Sequence, residues 1–106
     1  MRVIRAKNVK INGNIILIST LFCRFYISRR EIESVEVKGI SSLFDEIGIL
    51  IKSKKIFLVT ERASGFFDLA EFLRFEDIFG YFWYRDAEDG KALSCAVRPN
   101  APYGDE

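Results

Sequence analysis

The sequence predicts an α+β fold that is mainly antiparallel β, with about six strands followed by two helices and a short final strand. Short alternations of apolar and polar residues fill the first 60 positions, and an Asn-Gly pair separates the first two of them. After Gly65 the apolar residues recur with the period of a helix. The length of 106 residues fits one domain. We therefore expect a single domain over residues 1–98 and a flexible tail over residues 99–106.

The strands are predicted from alternation and from the turns between them. Asn12-Gly13 indicates a two-residue hairpin turn, because both residue types tolerate positive φ. In the first strand, Ile4 and Ala6 alternate in one phase and Val9 and Ile11 in the other. A bulge near Lys7-Asn8 would place both pairs on the same face of the strand. Short connections favour antiparallel pairing throughout. The predicted strands are Val3–Ile11, Asn14–Thr20, Cys23–Ser28, Ser34–Lys38, Ile47–Ile51 and Lys55–Thr60, with a polar turn over Ser28–Glu31 and a loop over Gly39–Asp45.

Two helices are predicted in the second half of the chain. Phe66–Leu73 places its apolar residues on one face, and Ser64 or Gly65 would cap its start. A second helix is expected to begin near Glu76-Asp77 and to end by Gly90, a residue suited to the left-handed conformation after a helix. Lys91–Val97 is predicted as the short final strand.

The segment Phe25–Val37 reads strand, polar turn, Ile-x-x-Val, strand, and it resembles the corresponding segment of small bacterial PH-like and GRAM-like domains. The hairpin Ile47–Thr60 and the helix Phe66–Leu73 follow in the order of that fold, so the resemblance covers about residues 9–75. It implies a bent sheet or partial barrel with a helix at its open end. The first hairpin loop, Asn12-Gly13-Asn14, lacks the clustered Lys and Arg of phosphoinositide-binding PH domains. Phosphoinositide binding is therefore not expected.

Residues for catalysis or for cofactor binding are not found in a convincing arrangement. The absence of His removes His-based triads and the commonest zinc ligand. The chain has no Cys-x-x-Cys pair and no Gly-rich phosphate loop, and Asp86–Gly90 lacks the spacing of a calcium loop. We expect a protein that is not an enzyme and that has no catalytic residue, metal or cofactor.

The two cysteines and the N-terminus indicate an intracellular protein. Cys23 and Cys95 each lie among apolar neighbours, which predicts two reduced, buried thiols. The apolar run that ends at Phe22 is not followed by the small residues of a signal-peptide cleavage site. No apolar stretch approaches the about 20 residues of a membrane span. We expect a cytoplasmic protein without a transmembrane segment.

Basic residues are concentrated at the N-terminal end of the chain. The first 30 residues include no acidic residue, whereas acidic residues outnumber basic ones after position 60. A shared outward face of the first strands would form an anion-binding patch. The alternative is that the acidic half of the chain packs beside these strands and neutralises them. The candidate anion-binding residues are Arg5, Lys7, Lys10 and Arg24.

The second candidate surface is the aromatic run Phe79–Tyr84. One helical face cannot bury five aromatic residues in six positions, so Tyr81 and Tyr84 are predicted to point outward. Tyr, Trp and Arg dominate interface hot spots. The alternative is a helix that is buried on a wide arc between the sheet and the tail. The candidate partner-binding residues are Tyr81, Trp83, Tyr84 and Arg85.

These features predict a small non-catalytic protein-interaction module that uses the aromatic helix, a sheet edge or both. Self-association into a homodimer is the simplest case, because a two-fold interface uses the same patch twice. The alternative is a peripheral module that binds an anionic membrane or nucleic acid through the basic strands. Nucleic acid is the less expected partner, because the net charge is only +1.

Overall fold

A computed structural model describes residues 2–40 and 46–96 of the chain. A 3₁₀ turn, Arg29–Glu31, joins the fourth and fifth strands. The predicted tail, and residues 41–45 of the predicted loop, lie outside the described residues. In chain order the elements are β1 (Val3–Arg5), β2 (Asn8–Asn12), β3 (Ile15–Ser19), β4 (Arg24–Ser28), β5 (Ser34–Ile40), β6 (Glu46–Lys52), β7 (Ile56–Thr60), α1 (Phe66–Phe72), α2 (Phe75–Phe79), α3 (Trp83–Glu88) and β8 (Leu93–Ala96).

The strands form two sheets, which confirms the α+β class. The five-stranded sheet has the order β1-β7-β6-β5-β8, and the three-stranded sheet has the order β2-β3-β4. Over the described strands the two sheets are not closed into a barrel. All neighbours pair antiparallel except β1 and β7, which run parallel. The expectation of a wholly antiparallel sheet is therefore wrong at β1.

The chain passes from one sheet to the other at Ala6 and Lys7. The N–H of Ala6 donates to the carbonyl of Leu58 on β7 at 2.9 Å, and the N–H of Lys7 donates to the carbonyl of Ser19 on β3 at 2.8 Å. Ala6 therefore bonds to the five-stranded sheet, and Lys7 bonds to the three-stranded sheet. The phase change in the sequence coincides with this transfer. The bulge expected near Lys7-Asn8 falls at the same place, since Lys7 donates to Ser19, the residue that pairs with Asn8.

The predicted first hairpin is confirmed, but its turn lies one residue later. Asn12 pairs with Ile15, so the two central residues are Gly13 and Asn14. Gly13 has a φ of 63°, and Asn14 does not have positive φ. Glycine at the first central position is typical of a type II′ turn, whereas Asn-Gly at the centre would be typical of type I′.

The core lies between the two sheets and continues under the helices. The inner faces of β3 and β4 contribute Ile16, Ile18 and Ile27, and those of β6 and β7 contribute residues such as Ile49 and Val59. Edge-on contact between Phe25 on β4 and Phe57 on β7, with ring centroids 5.3 Å apart, joins the sheets. Helix α1 packs on β2, and α3 packs on β5 and β6.

The first predicted helix is confirmed, whereas the second is divided in two. Gly65 begins α1 with a φ of 89°, and Gly80 interrupts the second segment with a φ of 101°. Because the chain turns at Gly80, α2 and α3 are separate helices with different facing residues. Gly90 follows α3 with a φ of 95°, as expected for the residue after a helix.

The prediction of two buried thiols is wrong at Cys23. Both cysteines are free, but Cys23 is exposed and Cys95 is partly buried. Cys23 lies in the loop between β3 and β4, where its neighbours Leu21 and Phe22 are also exposed. An apolar neighbourhood in the sequence therefore did not mean burial here. No helix in the described ranges is long and apolar enough to cross a membrane.

Candidate partner-binding surfaces

The three helices meet around Trp83, which is buried with 6% of its surface exposed. Its ring contacts Phe75 of α2 edge-on, with centroids 5.2 Å apart, and lies 6.4 Å from both Phe66 and Phe67 of α1. Such contacts add to the burial of the rings themselves. The structure therefore places Trp83 inside the helical layer, although the sequence suggested it as a contact residue.

Tyr84 is also fixed by a hydrogen bond to another residue of the domain. Its hydroxyl donates to Oε2 of Glu61 at 2.5 Å, and Oε1 of the same carboxylate accepts the N–H of Ile47 at 2.8 Å. The hydrogen bond to Glu61, burial, and the negative charges of Glu61 and Glu88 raise the pKa of Tyr84 to about 12. Tyr84 thus links α3 to β6 and β7, and only part of its ring reaches the surface.

The exposed aromatic residues lie directly before α3. Tyr81 is 73% exposed and Phe82 is 57% exposed, and their rings meet edge-on at 5.1 Å. The Arg85 guanidinium lies 5.3 Å from the centre of the Phe82 ring. We call Tyr81, Phe82 and Arg85 the aromatic surface.

The sequence identified Tyr81 and Arg85 as candidate contact residues but missed Phe82. A continuous helix through Gly80 would turn Phe82 inward and Tyr84 outward. The break at Gly80 reverses these two positions. Phe67 is a further exposed ring that the sequence did not single out, and it contacts both Trp83 and Tyr84.

The four basic candidates do not form one surface. Lys10 and Arg24 lie on the outer face of the three-stranded sheet, beside Leu17 and Tyr26 on β3 and β4. Arg5 belongs to the other sheet, where its Nη2 lies 3.3 Å from Oε2 of the buried Glu46. Lys7 lies between the sheets, next to a cavity of about 780 Å³ that Arg5, Glu46 and the loop after β3 also line.

A groove lies between the free edges of β1 and β4. Its larger part has a volume of about 570 Å³ and its smaller part about 150 Å³, and both parts are lined by Phe25, Lys54 and Lys55. The sequence did not indicate this feature, because it arises where two strands distant in the chain fail to pair. We call it the seam groove. Its other lining residues are Arg2, Ile4, Arg5, Thr20 and Cys23 in the larger part, and Tyr26, Ile27, Glu31, Ser53 and Phe57 in the smaller part.

Comparisons with protein-family models, with curated proteins and with solved structures found no match to this chain. The resemblance to PH-like domains therefore stays a prediction. Within the described ranges no three Cys, Asp or Glu side chains are grouped so that they could hold a metal ion.

Proposed function

We propose that the protein is a non-catalytic protein-interaction module and that the aromatic surface is its contact site. The observation that carries the proposal is the exposure of two adjacent aromatic rings, Tyr81 and Phe82, beside the guanidinium of Arg85. Tyr and Arg are enriched at the energetic centres of interfaces. A contiguous apolar patch on a small protein indicates a surface that a partner covers.

The support beneath this surface also favours a contact site. Trp83 and Tyr84 follow Phe82 directly and are fixed by ring packing and by the hydrogen bond to Glu61. Anchored neighbours reduce the conformational entropy that Tyr81 and Phe82 lose when a partner covers them. The exposed rings are therefore presented on a rigid base.

The partner that requires no further protein is a second copy of the chain. In a two-fold dimer, the aromatic surface of one copy packs against the same surface of the other, with Tyr81, Phe82 and Arg85 at the contact. Light scattering after size exclusion is expected to give about twice the monomer mass of 12.2 kDa. Tyr81→Ala/Phe82→Ala is expected to give the monomer, because truncating two hot-spot aromatics weakens association by about 2–4 kcal/mol.

A matched control is available in the loop between β3 and β4. Leu21 and Phe22 are likewise adjacent and apolar, with exposed fractions of 67% and 89%. Leu21→Ala/Phe22→Ala is expected to leave the dimer unchanged. Specific dimers with typical Kd values are associated at about 100 μM, so a wild-type monomer at that concentration would contradict self-association. A dimer that only the control variant dissociates would contradict the assigned surface.

The alternative function, binding of an anionic membrane or nucleic acid by the basic strands, has weaker support. It requires Arg5, Lys7, Lys10 and Arg24 to act together. Arg5 is bonded to Glu46, and it lies in a different sheet from Lys10 and Arg24. Two cations on a sheet face provide much less attraction than a continuous patch.

A further inference from the structure

The seam groove is bounded by two strand edges that have no neighbouring strand. Strand β1 ends the order of the five-stranded sheet, and β4 ends that of the three-stranded sheet. Both strands line the larger part of the groove, β1 through Ile4 and Arg5 and β4 through Phe25. Ile4 and Phe25 also pack against the core, so the floor of the groove is apolar.

The hydrogen-bond pattern shows which backbone groups of β4 point to its free edge. In an antiparallel pair, hydrogen-bonded and non-hydrogen-bonded residue pairs alternate. Cys23 accepts from the N–H of Thr20 at 2.8 Å, and Arg29 donates to the carbonyl of Asn14 at 3.0 Å. Counting inward from both ends, Phe25 and Ile27 bond to β3.

The alternate residues, Arg24 and Tyr26, therefore direct their N–H and C=O groups to the free edge. The N–H of the next residue in that series, Ser28, is already used, because it donates to Oε1 of Glu31 at 2.9 Å. The open edge of β4 thus ends at the 3₁₀ turn.

The backbone groups of β1 alternate in the same way. Ala6 donates toward β7, and Lys7 donates in the other direction, toward β3. By alternation, Ile4 faces β7, whereas Val3 and Arg5 direct their backbone groups away from β7 and toward the seam. The terminal strands β1 and β4 thus both direct alternate backbone groups away from their own sheets, and both strands contribute residues to the lining of the groove.

The rim of the groove is positively charged. Arg2, Lys54 and Lys55 form no ion pair with any residue that the structure describes. Arg5 is paired with Glu46, but its side chain remains 54% exposed. The acidic residue of the lining, Glu31, has one carboxylate oxygen bonded to the N–H of Ser28. A ligand in the groove therefore meets mainly uncompensated positive charge.

We propose that the seam groove binds an extended acidic segment of a partner protein, which adds as a strand to the free edge of β4. Strand addition uses the unpaired backbone groups of Arg24 and Tyr26 for affinity. Alternate side chains of the segment then face the apolar floor, and its carboxylates meet Arg2, Lys54 and Lys55. This site shares no residue with the aromatic surface, so it does not depend on the proposed dimer.

The shape of the groove favours a peptide over the other polyanions. A membrane surface requires a projecting contact, whereas the unpaired edges line a recess. Single-stranded nucleic acid is bound through several exposed rings on which successive bases stack. Of the three rings in the lining, Phe25 and Phe57 pack against each other, and only Tyr26 is exposed. An extended chain with regularly spaced carboxylates satisfies both the backbone edges and the cations.

The test uses fluorescence anisotropy of a labelled peptide of about ten residues, the upper length of a typical strand, in which glutamate alternates with valine. We expect saturable binding to the full chain. Lys54→Gln/Lys55→Gln is expected to weaken it about tenfold, the upper range for two partly exposed ion pairs. The control Lys7→Gln/Lys10→Gln removes the same charge outside the groove, so we expect a change of less than about twofold.

Two further measurements separate strand addition from simple charge attraction. A peptide of the same sequence with all its backbone amides N-methylated keeps its charge but has no N–H to donate to the edge of β4, so its binding should be lost. Amide exchange at Arg24 and Tyr26 should slow when the glutamate–valine peptide is bound. Equal binding of the N-methylated peptide, equal effects of the two lysine pairs, or no binding would overturn the proposal. Tighter, Lys54- and Lys55-dependent binding of a single-stranded oligonucleotide or of phosphatidylserine vesicles would also overturn it.

Discussion

Tyr84 connects the last helix to the five-stranded sheet through the carboxylate of Glu61. That carboxylate also accepts the backbone N–H of Ile47, so one side chain holds α3, β6 and the end of β7 together. Tyr84→Phe removes only the hydroxyl and leaves the ring contacts intact. We expect it to lower the free energy of unfolding by about 1–2 kcal/mol, because a hydrogen bond to a charged acceptor is lost at a partly exposed position.

The same contact makes stability depend on pH. The pKa of Tyr84 is raised from 10.0 to about 12, with the hydrogen bond to Glu61 as the largest cause. The folded protein holds the proton more tightly than the unfolded chain. The stabilisation is therefore complete below pH 10.0 and is lost as the pH rises toward about 12. The rise in the pKa of Tyr84 from 10.0 to about 12 corresponds to about 2.7 kcal/mol, which solvent screening reduces to about 1–2 kcal/mol.

The assay is urea unfolding of wild type and Tyr84→Phe near neutral pH and again at about pH 11, midway through the expected loss. All other groups are common to both proteins, so their effects cancel in the difference. We expect the gap in stability between wild type and Tyr84→Phe to shrink at high pH. Tyr26→Phe is the control, since Tyr26 is 67% exposed on the outer sheet face. A constant gap, or a Tyr84→Phe protein as stable as wild type, would refute the reasoning.

Two further predictions concern the glycines and the cysteines. Gly65→Ala is expected to cost about 2–4 kcal/mol in thermal unfolding, because its Cβ would lie 2.0 Å from the carbonyl oxygen of Val9 in a backbone with positive φ. Gly13 also has positive φ, but an added Cβ would have no atom within 4 Å, so we expect Gly13→Ala to lower the free energy of unfolding by only about 1 kcal/mol. Equal losses of stability in the two variants would contradict the clash at Gly65. In native protein a thiol reagent should label Cys23 quickly and Cys95 more slowly, and the reverse order would contradict the observed exposures.

Local signals explain why much of the fold was predictable. Strands β4 to β7 and helix α1 follow from alternation and from helical spacing, which depend on neighbouring residues only. The 3₁₀ turn Arg29–Glu31 also has a local cause, since Ser28 and Glu31 form a capping box. The polar turn predicted between two strands is confirmed at this position.

Long-range pairing explains why the rest was not predictable. Nothing in the three residues Val3–Arg5 specifies a parallel partner more than fifty positions away, and β7 provides that partner. The change of phase after Ala6 was visible, but a bulge and a change of sheet produce the same pattern. The separation of the two sheets, and hence the seam groove, follows from this choice of partner.

The backbone angle φ of Gly80 determines which aromatic residues of the Phe79–Tyr84 run are exposed. With a continuous helix, Tyr81 and Tyr84 would share one outward stripe. The positive φ of Gly80 breaks the helix, so Phe82 becomes exposed and Tyr84 turns toward Glu61. A glycine within a helical pattern indicates that the helix can break there. It does not show which aromatic rings are exposed and which are buried once the helix has broken.

Occupation of the seam groove should also raise the stability of the whole domain. An unfolded chain has neither the β4 edge nor the surrounding cations in place, so the acidic peptide binds the native state alone. At a peptide concentration of about 100 times Kd, binding to the native state adds about 2.7 kcal/mol to the free energy of unfolding. The urea midpoint should therefore rise with peptide for wild type and for Lys7→Gln/Lys10→Gln. It should rise much less for Lys54→Gln/Lys55→Gln at the same concentration. Equal shifts in all three proteins would mean that the peptide binds elsewhere on the surface.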